Sequence, residues 1–416
     1  MIQASAVGGG VFDSLRIASF RWLWASGLLS SFAMFSGVLV LSWLALAIGG
    51  SPLSVGIVLA ARVLPQLLFG IPAGVLADRF PRSRIVLVAN VGSSVVVGLV
   101  CLGWLAGATG LPILVAGMLL IGTFDSIRVT AASAMAFDLV GRASATNAIA
   151  LSNLATQVAG IASGIAAGSA LASFGSTPTL AVTAAAYLAG SCLVAPLTRV
   201  QPAAAGTIAG RVTLRRAATL VSRNRRVALI AFVVAGAEMF GFSNMTLMPS
   251  FARDVFGIGA VGLGWLLSAR AVGGTLGLLV VARTTSYWRA VGALALLAAA
   301  LGIALIAFAA IPILVVGLVL AGGIGAIGAA VDAVGQAQLQ HAVPEAERGS
   351  AMGLWMFCLG LGLAGLLETG AIGGLAGAPF AQGLNGAIMI VLALLVGGAL
   401  PAIATRRLRA GDPAPD

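Results

Sequence analysis

Apolar residues run along this chain in long blocks instead of alternating with polar ones. Twelve blocks stand out, at residues 22–48, 53–77, 85–106, 112–137, 147–172, 178–197, 227–250, 260–282, 288–310, 312–336, 350–372 and 383–404. A helix rises 1.5 Å per residue, so about 20 apolar residues cross a hydrocarbon core of roughly 30 Å. The blocks therefore predict twelve transmembrane helices in an all-α integral membrane protein. Residues 198–226 form the one long polar connection, and they leave six blocks on either side. The predicted organisation is a six-helix bundle over 1–197, a basic linker over 198–226 and a second six-helix bundle over 227–416.

A six-and-six division suggests an internal repeat. GIVLAARVLP, starting at Gly56, resembles GWLLSARAVG, starting at Gly264, and puts Arg62 and Arg270 at matching places in helices 2 and 8. AFDLVGRASATNA (136–148) and LQHAVPEAERGSA (339–351) fall after helices 4 and 10. An even number of helices per half gives both copies the same orientation, as parallel repeats.

Composition agrees with a membrane class: 60% of the 416 residues are hydrophobic and 8% are charged, against about a quarter charged in soluble domains. The net charge of +11 is no sign of nucleic acid. Most of its carriers lie before helix 1, in connections 2–3, 4–5, 6–7, 8–9 and 10–11, and after helix 12, whereas the opposite connections hold only Arg253. That is the positive-inside pattern with both termini cytoplasmic. The first apolar block is too long for a cleavable signal core and is expected to stay as an anchor. Cys101, Cys192 and Cys358 fall inside predicted helices, so no disulfide framework is expected.

The 2–3 connection reads GVLADRFPRSR from Gly74 to Arg84. It resembles the loop signature Gly-x-Leu-Ala-Asp-Arg-x-x-Arg-x-Arg of the major facilitator superfamily, and it falls after the second of twelve helices, as that signature does. Further stretches are similar to the drug and siderophore exporter branch that includes the enterobactin exporters: SLRIASFRWLWAS, FDSIR, DLVGRASATNAIAL, LMPSFARDVFGIGAVGLGWLL and VPEAERGSAMGL. FDSIR departs from the branch, which usually has a proline near Ser126 or Ile127. The second copy of the signature, VVARTTSYWR, has no acid.

The resemblance implies the major facilitator fold of two pseudo-symmetric six-helix bundles. It also implies a conformational latch. Asp78 would approach the start of helix 11 at Gly349 and Ser350, where the helix N-terminus favours a carboxylate. Arg79, Arg82 and Arg84 would pair with acids such as Asp138 and with lipid phosphates, and Gly74 belongs to the same motif. The competing reading is a loop whose arginines only set topology, which leaves Asp78 unexplained.

Charges at membrane depth are expensive and mark functional sites by default. Arg62, Asp125, Glu238 and Arg270 lie near mid-membrane by counting from helix ends; Arg128 and Asp332 lie nearer the cytoplasm, and Glu368 nearer the outside. Asp125 and Arg128 are three apart and share a helix face, so they either neutralise each other or leave Asp125 as a proton-coupling candidate. Glu238 has no basic neighbour on its own helix. An acid in low dielectric favours its neutral form and can exchange a proton near neutral pH, so Glu238 is either a proton site or the partner of Arg270 or Arg62. Those two arginines, with Arg128, are substrate-cavity candidates for an anion. Phe242 and Met245, in a Met- and Phe-rich helix 7, are candidates for an adaptable apolar lining or plain packing. Gly160, Gly164 and Gly168 recur at spacing four on helix 5 and permit close helix approach, for packing or for a gating hinge.

The chain has no lysine, which removes the phosphate-loop lysine of nucleotide-driven pumps and any Schiff-base cofactor. His341 is the only histidine, so no metal cluster and no nucleophile–base pair is expected. The reading is a non-enzyme: a multi-pass, monomeric cell-membrane exporter of a small amphipathic compound in exchange for protons, with membrane lipids as surroundings and no cofactor. The alternatives are an exporter of an anionic, siderophore-like metabolite held by Arg62 and Arg270, or a lipid flippase.

Overall fold

The computed structural model describes residues 13–199, 214–284, 291–344 and 347–410; within these it leaves aside the side chains of residues 69–79, 142–143, 146, 199, 214–218 and 400–410. The described residues are almost all helical, with no strand among them. In chain order the long helices are α1 (Ala18–Gly49), α2 (Pro52–Arg79), α3 (Arg82–Leu105), α4 (Leu111–Gly141), α5 (Asn147–Phe174), α6 (Ser176–Thr198), α7 (Arg225–Val255), α8 (Gly259–Arg283), α9 (Val291–Ala310), α10 (Leu314–His341), α11 (Arg348–Ala376) and α12 (Ala378–Ala410). Eleven are long and apolar enough to cross a membrane among the described residues, and α2 adds a shorter apolar stretch over Pro52–Leu68.

Most helices overrun their apolar blocks. α10 continues from the expected end at 336 to His341, so this histidine closes a helix instead of lying in a loop. The blocks report only what the hydrocarbon covers; hydrogen bonding carries the helix on into the interface. A ten-residue helix, Leu214–Arg223, also precedes α7 in what reads as plain linker.

Local chemistry explains the breaks. α4 and α5 form one helical run whose direction changes at Gly141, with φ 73 and ψ 172, a conformation that needs a residue without Cβ. α7 is the irregular helix: Ala237–Gly241 and Phe251–Val255 are π-helical and Phe242–Thr246 is 3-10. Pro249 lies between these segments and has no N–H to give to the ladder. α11 is interrupted at Leu361, between Arg348–Gly360 and Gly362–Ala376.

Contacts divide the chain into two compact units. The first is Met1–Ala209 with Met248–Ala271, and the second is Gly210–Leu247 with Val272–Asp416. The first unit thus holds α1–α6 together with the end of α7 and the beginning of α8. Glycine is the reason α8 joins it. A Cβ on Gly164 of α5 would lie 2.7 Å from the Gly264 carbonyl oxygen, and one on Gly168 would lie 2.9 Å from the Ala260 carbonyl oxygen. Ser268 Oγ donates to the Ile161 carbonyl at 2.8 Å across the same contact. Gly160 meets only Phe35 and Ala271, at ordinary contact distance. The first unit is also knit by small polar groups: Ser26 Oγ donates to the Gly190 carbonyl at 2.7 Å and Ser30 Oγ to Asn90 Oδ1 at 3.0 Å, joining α1, α6 and α3.

Candidate functional site

In the first unit, helices α2, α4 and α6 bring one carboxylate and two guanidinium groups together. Gly122 of α4 lies directly on the Arg62 backbone of α2, where any Cβ would collide with the Arg62 carbonyl. That approach lets Arg62 Nη2 reach Asp125 Oδ2 at 3.4 Å. Arg128 Nε, one turn further along α4, lies 3.3 Å from Asp125 Oδ1. The Tyr187 hydroxyl of α6 lies 3.4 Å from both oxygens of Asp125 and donates to that carboxylate. Side-chain exposure is 6% for Asp125 and Arg128 and 23% for Arg62. Arg62 Nε is buried and has no hydrogen-bond partner.

Tyr187 was not singled out from the sequence. The available signal was its rarity: it is one of two tyrosines in the chain, and it falls in the middle of an apolar block. Arg270 also belongs to the first unit and has an interaction of its own.

The second unit holds Glu238, 8% exposed, inside the π-helical segment of α7. Its Oε2 lies 3.4 Å from where a β-carbon on Gly362 would sit. The side-chain-free face of α11 beside its interruption is what makes room for the carboxylate. Gly365 packs so tightly on the Met239 backbone that a Cβ would collide with the Met239 carbonyl. Phe242 is packed against Gly328 of α10, and Met245 is half-buried.

One helical turn beyond lies a polar network invisible to a search for charges. Thr369 Oγ1 donates to Ser243 Oγ at 2.8 Å, and Asn385 Nδ2 donates to Thr369 Oγ1 at 2.7 Å and to Ser243 Oγ at 3.3 Å. Glu368 Oε2 lies 3.1 Å from Thr369 Oγ1. This network ties the 3-10 segment of α7 to α11 and α12.

Of the signature residues, Gly74, Asp78 and Arg79 lie outside the described side chains. Arg82 Nη1 lies 2.5 Å from Asp138 Oδ2, and also donates to the Ala134 carbonyl at 3.3 Å, which joins the start of α3 to the C-terminal part of α4. Arg84 is exposed. Cys101, Cys192 and Cys358 are free thiols. Among the described residues no group of three or more His, Cys, Asp or Glu side chains could hold a metal ion.

Comparison with known proteins identifies the family and the fold. The multidrug efflux pump Tap of Mycolicibacterium fortuitum is 27% identical over 354 residues, covering 82% of this chain and 85% of Tap. The staphyloferrin A transporter of Staphylococcus aureus is 24% identical over 343 residues, covering 80% of this chain and 85% of that protein. Among solved structures, the nucleoside transporter NupG superposes with a TM-score of 0.74 at 16% identity, covering 91% of this chain and 99% of NupG. A bacterial homologue of the human lysosomal transporter Spinster gives a TM-score of 0.71 at 14% identity, covering 98% and 100%. These two show the fold. The family model described as transmembrane secretion effector matches residues 9–415. The chain is therefore a multi-pass membrane transporter, not an enzyme, and belongs to the transmembrane secretion effector family of the major facilitator superfamily.

Proposed function

We propose that this transporter exports a small amphipathic compound in exchange for protons, with Glu238 as the proton site. The observation that carries the reading is the burial of Glu238 in a π-helical segment of α7, against the interrupted part of α11. An acid inside a membrane bundle is a functional site by default, and π segments inside α-helices concentrate at functional sites. Export is supported by the likeness to Tap, an efflux pump. Asp125 is the other carboxyl near mid-membrane, and both of its oxygens lie against arginines.

The domain reading that accompanies this function is a monomer of two six-helix bundles, 1–197 and 227–416, with both termini cytoplasmic. Gly74, Asp78, Arg79, Arg82, Arg84 and Asp138 act as the latch that holds one orientation until substrate and proton binding shift the population.

The test starts from a compound found by thermal stabilisation of the purified protein. Glu238→Gln keeps the shape of the side chain but cannot ionise. It is expected to bind the compound and exchange it across liposomes while losing accumulation driven by a pH gradient. Wild-type accumulation by a stable Glu238→Gln protein would remove Glu238 from the coupling role.

A further inference from the structure

We infer that the Arg62–Asp125–Arg128–Tyr187 cluster is an anion subsite, which takes the carboxylate of a small organic acid. This rests on the transport reading and deepens it, because it assigns a charge to the amphipathic compound: the substrate carries a carboxylate on an apolar body.

Charge is the first argument. Two guanidinium groups share one carboxylate, so the cluster holds one positive charge in excess among side chains that are largely buried. The other acids among the described side chains of this unit are taken elsewhere. Asp13 lies 3.5 Å from Arg16, Asp138 2.5 Å from Arg82 and Asp254 2.6 Å from Arg253, each pair at a helix end. A charge left uncompensated at depth is expensive. A monoanion would neutralise the cluster, and a cation would double its excess.

Donor geometry is the second argument. A guanidinium carries five N–H donors, yet Arg62 and Arg128 each spend one on Asp125. Arg62 Nε is buried without any acceptor. The cluster therefore offers more donors than the protein fills. Arg62 is also the most exposed member, at 23%, so its side chain is the one that solvent reaches.

The resident acceptor shows which ligand fits. Asp125 presents one oxygen to each arginine, with the Tyr187 hydroxyl on both. Each arginine meets a single oxygen here, and the planar guanidinium fork can take both oxygens of a second carboxylate. A substrate carboxylate at Arg62 would meet the remaining terminal N–H groups, while Asp125 stays on Arg128.

The test uses the full-length protein in nanodiscs and three probes with one ring system: 2-naphthoate, the neutral 2-naphthamide and the cationic 2-naphthylmethylamine. Tm and calorimetric Kd are read for each. Only 2-naphthoate is expected to bind saturably and raise Tm. Arg62→Gln leaves a neutral Asp125–Arg128 pair, so its ligand-free Tm should equal or exceed that of the wild type, while its naphthoate affinity falls roughly tenfold or more with the lost charged hydrogen bonds. Arg62→Lys keeps the charge but not the fork, and should fall between the two.

The inference is overturned by any of four results: no response to naphthoate, a preference for the amide or amine, a naphthoate response that survives Arg62→Gln, or a large drop in the ligand-free Tm of that variant, which would mark Arg62 as a strut. If the amine alone binds and is then exported under a pH gradient, the export reading stands and the anion subsite falls. If naphthoate binds through Arg62 but no pH gradient moves it, the subsite stands and the export reading falls.

Discussion

Asp125 holds two guanidinium groups and a phenol on three helices, so its loss and the loss of Arg62 should have opposite signs. Asp125→Asn strands both arginines, and breaking a buried charged pair costs about 3–5 kcal/mol. A thermal melt of the purified variant should show a clear fall in Tm, where Arg62→Gln shows none. At this scale the sequence was partly legible. The spacing of Asp125 and Arg128 puts them on one face of α4, so their proximity could be read directly. The approach of Arg62 could not, because it depends on Gly122 bringing α2 against α4, a contact between segments far apart in the chain. The Ser243–Thr369–Asn385 network escaped for a related reason: uncharged polar residues are common in membrane helices, and only their convergence distinguishes these three.

Helices show where pattern reading succeeds and where it stops. An uncharged apolar block long enough to span the hydrocarbon must satisfy its backbone internally, which in a single segment means a helix, so all twelve elements were legible. Their ends were not, because hydropathy follows the hydrocarbon and not the hydrogen-bond ladder; α10 runs on to His341 for that reason. The π and 3-10 segments of α7 leave no hydropathy signal at all, since a shift in ladder register does not change which residues are apolar. The glycine face of α5 was visible as a period of four, and the structure supplies what lies against it. Gly164 and Gly168 meet the α8 backbone around Ala260–Gly264, and Gly160 has room. Leucine at 164 should therefore force α5 from α8 at a cost of about 1–3 kcal/mol or more, whereas alanine at 160 should be tolerated. Melting temperatures of Gly164→Leu and Gly160→Ala check the difference: equal values would mean that this contact does not support the unit.

For the whole molecule the informative pattern is charge by connection. Arginine in alternate connections predicts both termini in the cytoplasm, with Arg253 on the outer side. Fusing a reporter that fluoresces only in the cytoplasm to the C-terminus, and labelling a cysteine placed beside Arg253 from outside, should both give signal; a dark fusion or a protected cysteine would reverse the topology. The signature loop contributes at the same scale. Asp78→Asn should insert and fold, because the arginines that set topology remain, yet transport several-fold more slowly as the latch loses its charge. A variant with wild-type transport would reduce the loop to a topology signal.

Exchange of substrate for protons is the central functional claim, and transport by purified protein in liposomes tests it. With the lumen more acidic than the bath, protons run outward, and an antiporter must drive the compound inward. The account predicts accumulation in the lumen above that of protein-free liposomes, abolished when nigericin collapses the gradient. Accumulation that ignores nigericin, or that requires an alkaline lumen instead, would contradict it.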